Sequence, residues 1–283
     1  MALNKLAVKL FGRLAEYSLD YFDSIKVSMH KAGMRMQLLE YVSLIYLAAA
    51  MAFIVSLIGG SIFLTLLIPS APFTFTMSII ISFMVTGFTF FMAYYYPTLL
   101  AKNKKTKIDR NLPFAVFYMA TSASAGIDPP EIFRLLSQRG GVIGNEASKI
   151  YTDVRTLGMN LATALQKAAQ RTPSVLWSEL LWGMSSVLTT GGSIDKFLEG
   201  KTRTFMNQYR RSLEEYSKQI ALYTEIYITL IIVGSLFFII LISIVSPIIG
   251  QGTLFIQTLL VFFLVPLVSL GFIMILKGIS PRS

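Results

Sequence analysis

Few residues in this chain have the type and spacing to do chemistry. Cysteine is absent, so neither a disulfide framework nor a thiolate metal site is available. The single histidine, His30, excludes a histidine-rich metal centre. A phosphate-cradling loop needs a glycine-rich turn that ends in Gly-Lys-Ser/Thr. Gly140-Gly141-Val-Ile-Gly144 lacks the lysine, and Lys104-Lys105-Thr106 lacks the glycines. Intramembrane proteolysis would need aspartates, a Ser–His pair or a metal inside the apolar segments, which hold no Asp and no His. The neighbouring carboxylates Asp20 and Asp23, and Glu214 and Glu215, lie among basic residues on polar faces and read as solvated. Glu225 has two readings: a charge contact that couples a polar domain to the spans or a partner, or an interfacial carboxylate that snorkels or pairs with a nearby lysine. The expectation is a protein without catalytic, cofactor or metal residues.

The elements that hold these residues are set by charge. No Lys, Arg, Asp or Glu occurs from Tyr41 to Ala101, and none from Ile226 to Leu276. About 20 apolar residues cross a bilayer, so each run is long enough for two spans. Mean hydropathy is +0.63, more apolar than a soluble domain of this length. The net charge is +10, and residues 98–222 carry 17 Lys/Arg against 10 Asp/Glu. Basic charge beside spans is the signature of the cytoplasmic side, and it is a stronger reading here than nucleic-acid binding. No signal peptide is apparent before the first apolar run.

Pro69-Ser-Ala-Pro72 marks a turn between spans near 41–60 and 74–96. Tyr94, Tyr95 and Tyr96 suit the interface, and the basic cluster Lys102, Lys104, Lys105 and Lys107 follows at once. Pro247 to Gly252 divides spans near 223–246 and 253–276, with Pro266 expected to kink the last. The fold class is therefore all-α: a polytopic membrane protein with four transmembrane helices and a cytoplasmic helical bundle. Its expected divisions are 1–40 (a cytoplasmic amphipathic segment), 41–96 (a hairpin of two spans), 97–222 (the bundle), 223–276 (a second hairpin) and 277–283 (a tail). An even number of spans puts both termini and residues 98–222 in the cytoplasm.

Leu3, Leu6, Leu10, Leu14, Tyr17, Tyr21 and Ile25 recur at three- and four-residue spacing, which predicts an amphipathic helix over 3–25. Its stripe suits either the membrane interface or packing on the rest of the protein. In the polar block, Asp128-Pro-Pro-Glu131, Asn160-Leu161 and Thr172-Pro173 are helix starts, and Gly158 and Gly191-Gly192 are stops. They predict helices near 111–125, 129–138, 144–156, 160–170 and 173–190. A long helix from about Ser193 should run unbroken into the third span, because no breaker but Gly200 interrupts 194–232. A faint repeat at an offset of 65 aligns Gly126 with Gly191, Ile132 with Phe197 and Phe133 with Leu198.

Several segments carry a resemblance. Lys107-Ile-Asp-Arg-Asn-Leu-Pro-Phe114, Tyr118-Met-Ala-Thr121 and Ala125-Gly-Ile-Asp-Pro-Pro-Glu-Ile-Phe133 resemble the type II secretion system F domain. Gly158-Met-Asn-Leu161, Ala164-Leu165, Arg171-Thr-Pro-Ser174, Gly191-Gly192 and Glu225-Ile-Tyr-Ile-Thr229 fit the same pattern. The likeness covers about 97–246 and is greatest to the archaeal branch, which holds archaellum and type IV pilus platform proteins and is similar to Tad-type platform proteins. It implies a non-catalytic platform in the cytoplasmic membrane, driven by a hexameric secretion ATPase, on which pilin-like subunits assemble. A homodimer is a further possibility. Candidate contact residues are Lys102, Lys104, Lys105, Lys107, Arg110, Gly140, Gly141, Gly144, Asn145 and Glu225. The alternative is a small transporter or channel subunit with a cytoplasmic regulatory domain, which the absence of ionisable groups within the spans disfavours.

Overall fold

A computed structural model describes residues 2–34, 36–67, 71–249, 255, 258, 262–263 and 265–279. Every regular element among them is helical, as the composition and periodicity imply. The chain forms two compact units, residues 1–203 and 204–283.

The first unit opens with α1 (Ala2–Ser18), a 3-10 turn (Leu19–Phe22) and α2 (Asp23–Ala32). The helix expected over 3–25 is thus broken at Ser18. Two apolar helices follow, α3 (Leu38–Leu67) and α4 (Ala71–Ser124), packed on each other. Phe53 and Phe83 meet edge-on at 5.5 Å between centroids. The expected turn at 69–72 lies largely outside the described residues.

Helix α4 differs from the expectation of a span that ends before Pro97. It runs through both Pro97 and Pro113 for 54 residues, from the apolar stretch deep into the polar block. Proline removes the N–H that would bond the carbonyl four residues back. For Pro97 that carbonyl belongs to Ala93, and the Tyr41 hydroxyl donates to it at 2.7 Å. A neighbouring helix so fills the gap in the ladder, which lets the helix continue. Tyr41→Phe should lower stability by about 1–2 kcal/mol, the cost of leaving that acceptor unmet. The loss should shrink in a Pro97→Ala background, where a backbone N–H is restored. Thermal unfolding of the four chains in detergent measures this as a double-mutant cycle, and equal losses in both backgrounds would refute the account.

The polar part of the unit is a bundle of α4's distal half with α5 (Pro129–Gln138), α6 (Gly141–Arg155), α7 (Leu161–Arg171) and α8 (Val175–Thr189). Ile108, Leu112, Met119, Phe133, Ile150, Leu165, Trp177 and Leu181 are fully buried at its centre. The helix ends lie close to those expected, with two differences. The Asp128 side chain makes no cap hydrogen bond, because prolines at the first two helical positions leave few donors to cap. Helix α8 starts at Val175, not at Pro173, because Ser174 is the residue whose hydroxyl accepts from the Trp177 N–H, at 3.0 Å.

The internal repeat holds at the backbone. Ile127 N–H bonds Ser122 O at 3.2 Å, and Gly192 N–H bonds Val187 O at 2.9 Å. Ile132 N–H bonds Asp128 O, and Phe197 N–H bonds Ser193 O, both at 3.2 Å. Each pair is offset by 65. Gly126 and Gly191 take φ of 75° and 70° at these two helix ends, a left-handed value that side chains resist.

Helix α9 (Ile194–Tyr227) follows without a break into a π-helical turn (Ile228–Val233) and α10 (Gly234–Ile249). The uninterrupted run expected from Ser193 into the third span is therefore present. In the second unit, the Tyr227 hydroxyl lies 3.2 Å from that of Ser269, and its ring stacks on Phe272 at 4.8 Å. Both belong to α11 (Val265–Ile279).

Among the described residues, three helices are long and apolar enough to cross a membrane: Leu38–Thr65, Phe75–Ser124 and Ile194–Val245. The fourth expected span, 253–276, lies partly outside the described residues. Pro247, expected to help divide the second pair, is inside α10. Pro266 lies in α11, and the helix start that would decide its effect is outside the described residues.

Candidate functional site

The candidate contact residues fall on distinct faces. Lys102, Lys105, Lys107 and Arg110 are exposed along the polar half of α4. By helical spacing, Lys107 and Arg110 share a side with Phe114 and Phe117, which are 51% and 54% exposed. Lys104 instead points into the protein. Its ammonium pairs with Glu146 at 3.0 Å and lies 3.4 Å from the Lys31 carbonyl at the end of α2.

Gly140, Gly141 and Gly144 form the tight corner between α5 and α6. Gly140 and Gly141 have φ of 70° and 71°. A Cβ on Gly144 would stand 3.2 Å from the Ser137 carbonyl oxygen, so this glycine lets α6 lie close on the end of α5. Asn145 is exposed beside it. The corner faces α4 across a groove of about 270 Å³, lined by Asn111, Phe114 and Tyr118 on one side and by Arg139 and Gly140–Gly144 on the other. The Arg139 guanidinium lies over the Tyr118 ring at 3.9 Å. The part of α4 that follows the basic stretch and the glycine corner, far apart in sequence, so border one groove. Glu225 is exposed on α9, in the other unit.

An ionic cluster beneath this surface was not singled out by the sequence. Glu146, whose side chain is 1% exposed, pairs with Lys149 at 2.9 Å as well as with Lys104. Arg171 Nε lies 3.6 Å from Glu146 Oε2, and Arg171 Nη1 lies 3.2 Å from Asp153 Oδ2. Lys167 adds a 3.1 Å contact to Asp153. Burial pushes the Glu146 carboxyl up, but the Lys149 hydrogen bond and the Lys104 charge outweigh it and hold the group below its ordinary range. On α4, Asp109 accepts from the Ser174 hydroxyl that caps α8. These charges clamp α4, α6, α7 and the start of α8 together. The sequence signal was the seven-residue spacing of Glu146 and Asp153, which puts both on one side of α6.

No group of three or more His, Asp or Glu residues placed to hold a metal occurs among the described residues. What the surface offers is basic charge, two exposed aromatic rings and a shallow groove.

The architecture defines a multi-pass membrane protein with a helical polar domain. Residues 115–242 match the family described as Type II secretion system (T2SS), protein F, in agreement with the likeness read from the motifs. The chain is 26% identical over 196 residues to uncharacterized protein MJ1286 of Methanocaldococcus jannaschii, covering 66% of this chain and 33% of that protein. It is 24% identical to flagella accessory protein J of the same organism, over 47% of this chain and 24% of the relative. For flagella accessory protein J of Methanococcus voltae the values are 25%, 54% and 27%. The chain thus aligns with no more than about a third of the length of these relatives. No solved structure matches it.

Proposed function

We propose that this protein is the membrane platform of an archaellum-like or type IV pilus-like machine. In this reading a cytoplasmic hexameric secretion ATPase acts on residues 97–222, and pilin-like subunits assemble on the spans at 41–96 and 223–276. Both termini and the 98–222 block lie in the cytoplasm, as the basic residues after Tyr96 favour. The protein has no chemistry of its own and works by relaying movement, with a homodimer as one arrangement in which it does so. The observation that carries the proposal is the F-domain match together with two helices, α4 and the run that begins at Ile194. Each joins a charged segment to an apolar one without a break. Helices transmit displacement along their axes, so such elements suit a part that receives motion on one side of a membrane.

The contact surface in this reading is the exposed basic side of α4 with the glycine corner. Full-length protein in lipid nanodiscs, mixed with its secretion ATPase, should bind in a salt-sensitive manner. Replacing Lys102, Lys105, Lys107 and Arg110 with Glu should weaken binding by about tenfold or more, mainly through a slower on-rate. Lys104→Glu would disturb the fold instead and serves as the contrast. Absence of binding by the folded full-length protein would overturn the reading.

A further inference from the structure

The N-terminal helix presents three faces, and only one of them has an occupant in the protein. With a turn of about 100° per residue, Ala7, Phe11 and Ala15 fall on one side, and Ala7 and Ala15 are fully buried. This side packs on α3, where the Phe11 and Tyr46 rings lie 6.5 Å apart. Next to it runs the apolar stripe, and it is bare: Leu6, Leu10, Leu14, Tyr17 and Tyr21 are 53%, 66%, 62%, 90% and 83% exposed. Beyond the stripe lie Lys9, Arg13 and Glu16, all exposed. The stripe is therefore not what holds α1 to the protein, which separates the two readings its periodicity left open.

We propose that this stripe lies in the phospholipid bilayer, so that α1 is an interfacial element anchored in lipid beside the first span. The height of the helix argues for a lipid occupant. Helix α1 and the turn after it are fixed at the charged end of the α3–α4 hairpin. The Tyr46 hydroxyl donates to Ser18 at 3.0 Å, and Phe22 packs edge-on against Tyr46 and Phe90 at 6.4 and 6.3 Å. Phe22 also meets the Tyr94 ring at 5.8 Å, so the turn after α1 stands at the tyrosines that precede Lys102, where headgroups begin. The outward sides of α3 and α4 expose Met51, Ile54, Phe88 and Phe91 close by in sequence, so the stripe continues an apolar surface that already faces lipid. The charge order fits too: leucines reach the acyl boundary, tyrosines sit among headgroups, and Lys9 and Arg13 stand at the edge where phosphates are.

The anchor is tied to the polar domain through α2. Ser24 lies 3.4 Å from the Tyr94 hydroxyl, and Thr98 donates to Ser28 at 3.4 Å. At the end of α2, Lys104 reaches the Lys31 carbonyl while it pairs with Glu146. A lipid-held α1 so braces α4 where it leaves the membrane.

The absence of cysteine makes the test direct. Single-cysteine variants Leu10→Cys, Leu14→Cys and Lys9→Cys of the full-length protein carry a nitroxide in lipid nanodiscs. Accessibility to oxygen and to a water-soluble nickel chelate is then measured. Leu10 and Leu14 should favour oxygen, and Lys9 should favour the chelate by at least threefold more than they do. Equal chelate access at all three positions overturns the proposal, and so does exclusion of both reagents at Leu10 and Leu14, which marks a protein occupant. As a second readout, Leu10→Gln with Leu14→Gln, both already exposed, should speed tryptic cleavage after Lys9 and Arg13 about tenfold in nanodiscs while cleavage within 98–222 keeps its pattern. An unchanged rate also counts against it.

Discussion

Glu146→Ala is expected to be the most damaging single substitution in the polar domain, lowering its stability by about 3–5 kcal/mol. Removing one partner of a buried ion pair leaves the other charges desolvated and unpaired. Lys104 is 15% exposed and Arg171 is 21% exposed, so neither escapes readily into water. Thermal unfolding in detergent and proteolysis of the 98–222 block should both register the loss. The same carboxylate sets a pH response. Its folded value lies below the ordinary one, so its contribution is complete at neutral pH and is lost as pH falls below the usual carboxylate range and through the folded value. Wild-type protein should therefore unfold more easily on acidification, and the Glu146→Ala variant should lose part of that dependence. A variant as stable as wild type, with an unchanged acid transition, would show that the cluster does not clamp the bundle.

Gly183→Ala should be the second most damaging substitution, and against the usual trend. Glycine inside a helix costs roughly 0.5–1 kcal/mol relative to alanine, so the exchange normally stabilises. Here a Cβ would stand 2.5 Å from Cζ of Phe197, where α8 meets α9. The Phe197 ring must move or the helices must part, and overpacking of this kind costs about 1–3 kcal/mol. Gly200, on α9, supplies the control, because a Cβ there meets nothing within 4 Å. Gly200→Ala should raise stability by up to about 1 kcal/mol. Thermal midpoints that move in opposite directions for the two variants would support this packing, and a gain at both sites would contradict it.

Much of the fold was legible in the chain because membrane solvation and helix capping are local effects. The charge gap from Tyr41 to Ala101 announces apolar helices without knowledge of what packs on them. Asn160 caps α7 by accepting from the Ala162 N–H at 2.8 Å, an interaction between near neighbours in sequence. Pro97 was misleading for the opposite reason. Its effect on α4 depends on the Tyr41 hydroxyl, which comes from another helix and, in sequence, lies 52 residues from the Ala93 carbonyl it serves. The Lys104–Glu146 pair is likewise invisible in the basic run Lys102–Arg110, where every cation looks equally solvated. The amphipathic stripe of α1 was plain, but its occupant was not: periodicity gives the angle of a face, and only Ala7 and Ala15 show which other face is covered. Exposed Phe117 could have been found, since a phenylalanine on the same side as Lys107 and Arg110 departs from an otherwise polar surface.

The proline in α4 has a mechanical corollary. A helix with an unbroken ladder resists bending by many bonds acting together, but at Pro97 one rung is missing and the carbonyl it would have used is tied to α3 instead. Bending of α4 at that level is therefore opposed by its neighbour. If the two helices of the hairpin slide or part near Tyr41, that tie is lost and the rod is free to bend at one chosen place. The protein so contains a joint whose latch sits on the opposite helix, between the lipid-embedded half of α4 and the half that carries the bundle.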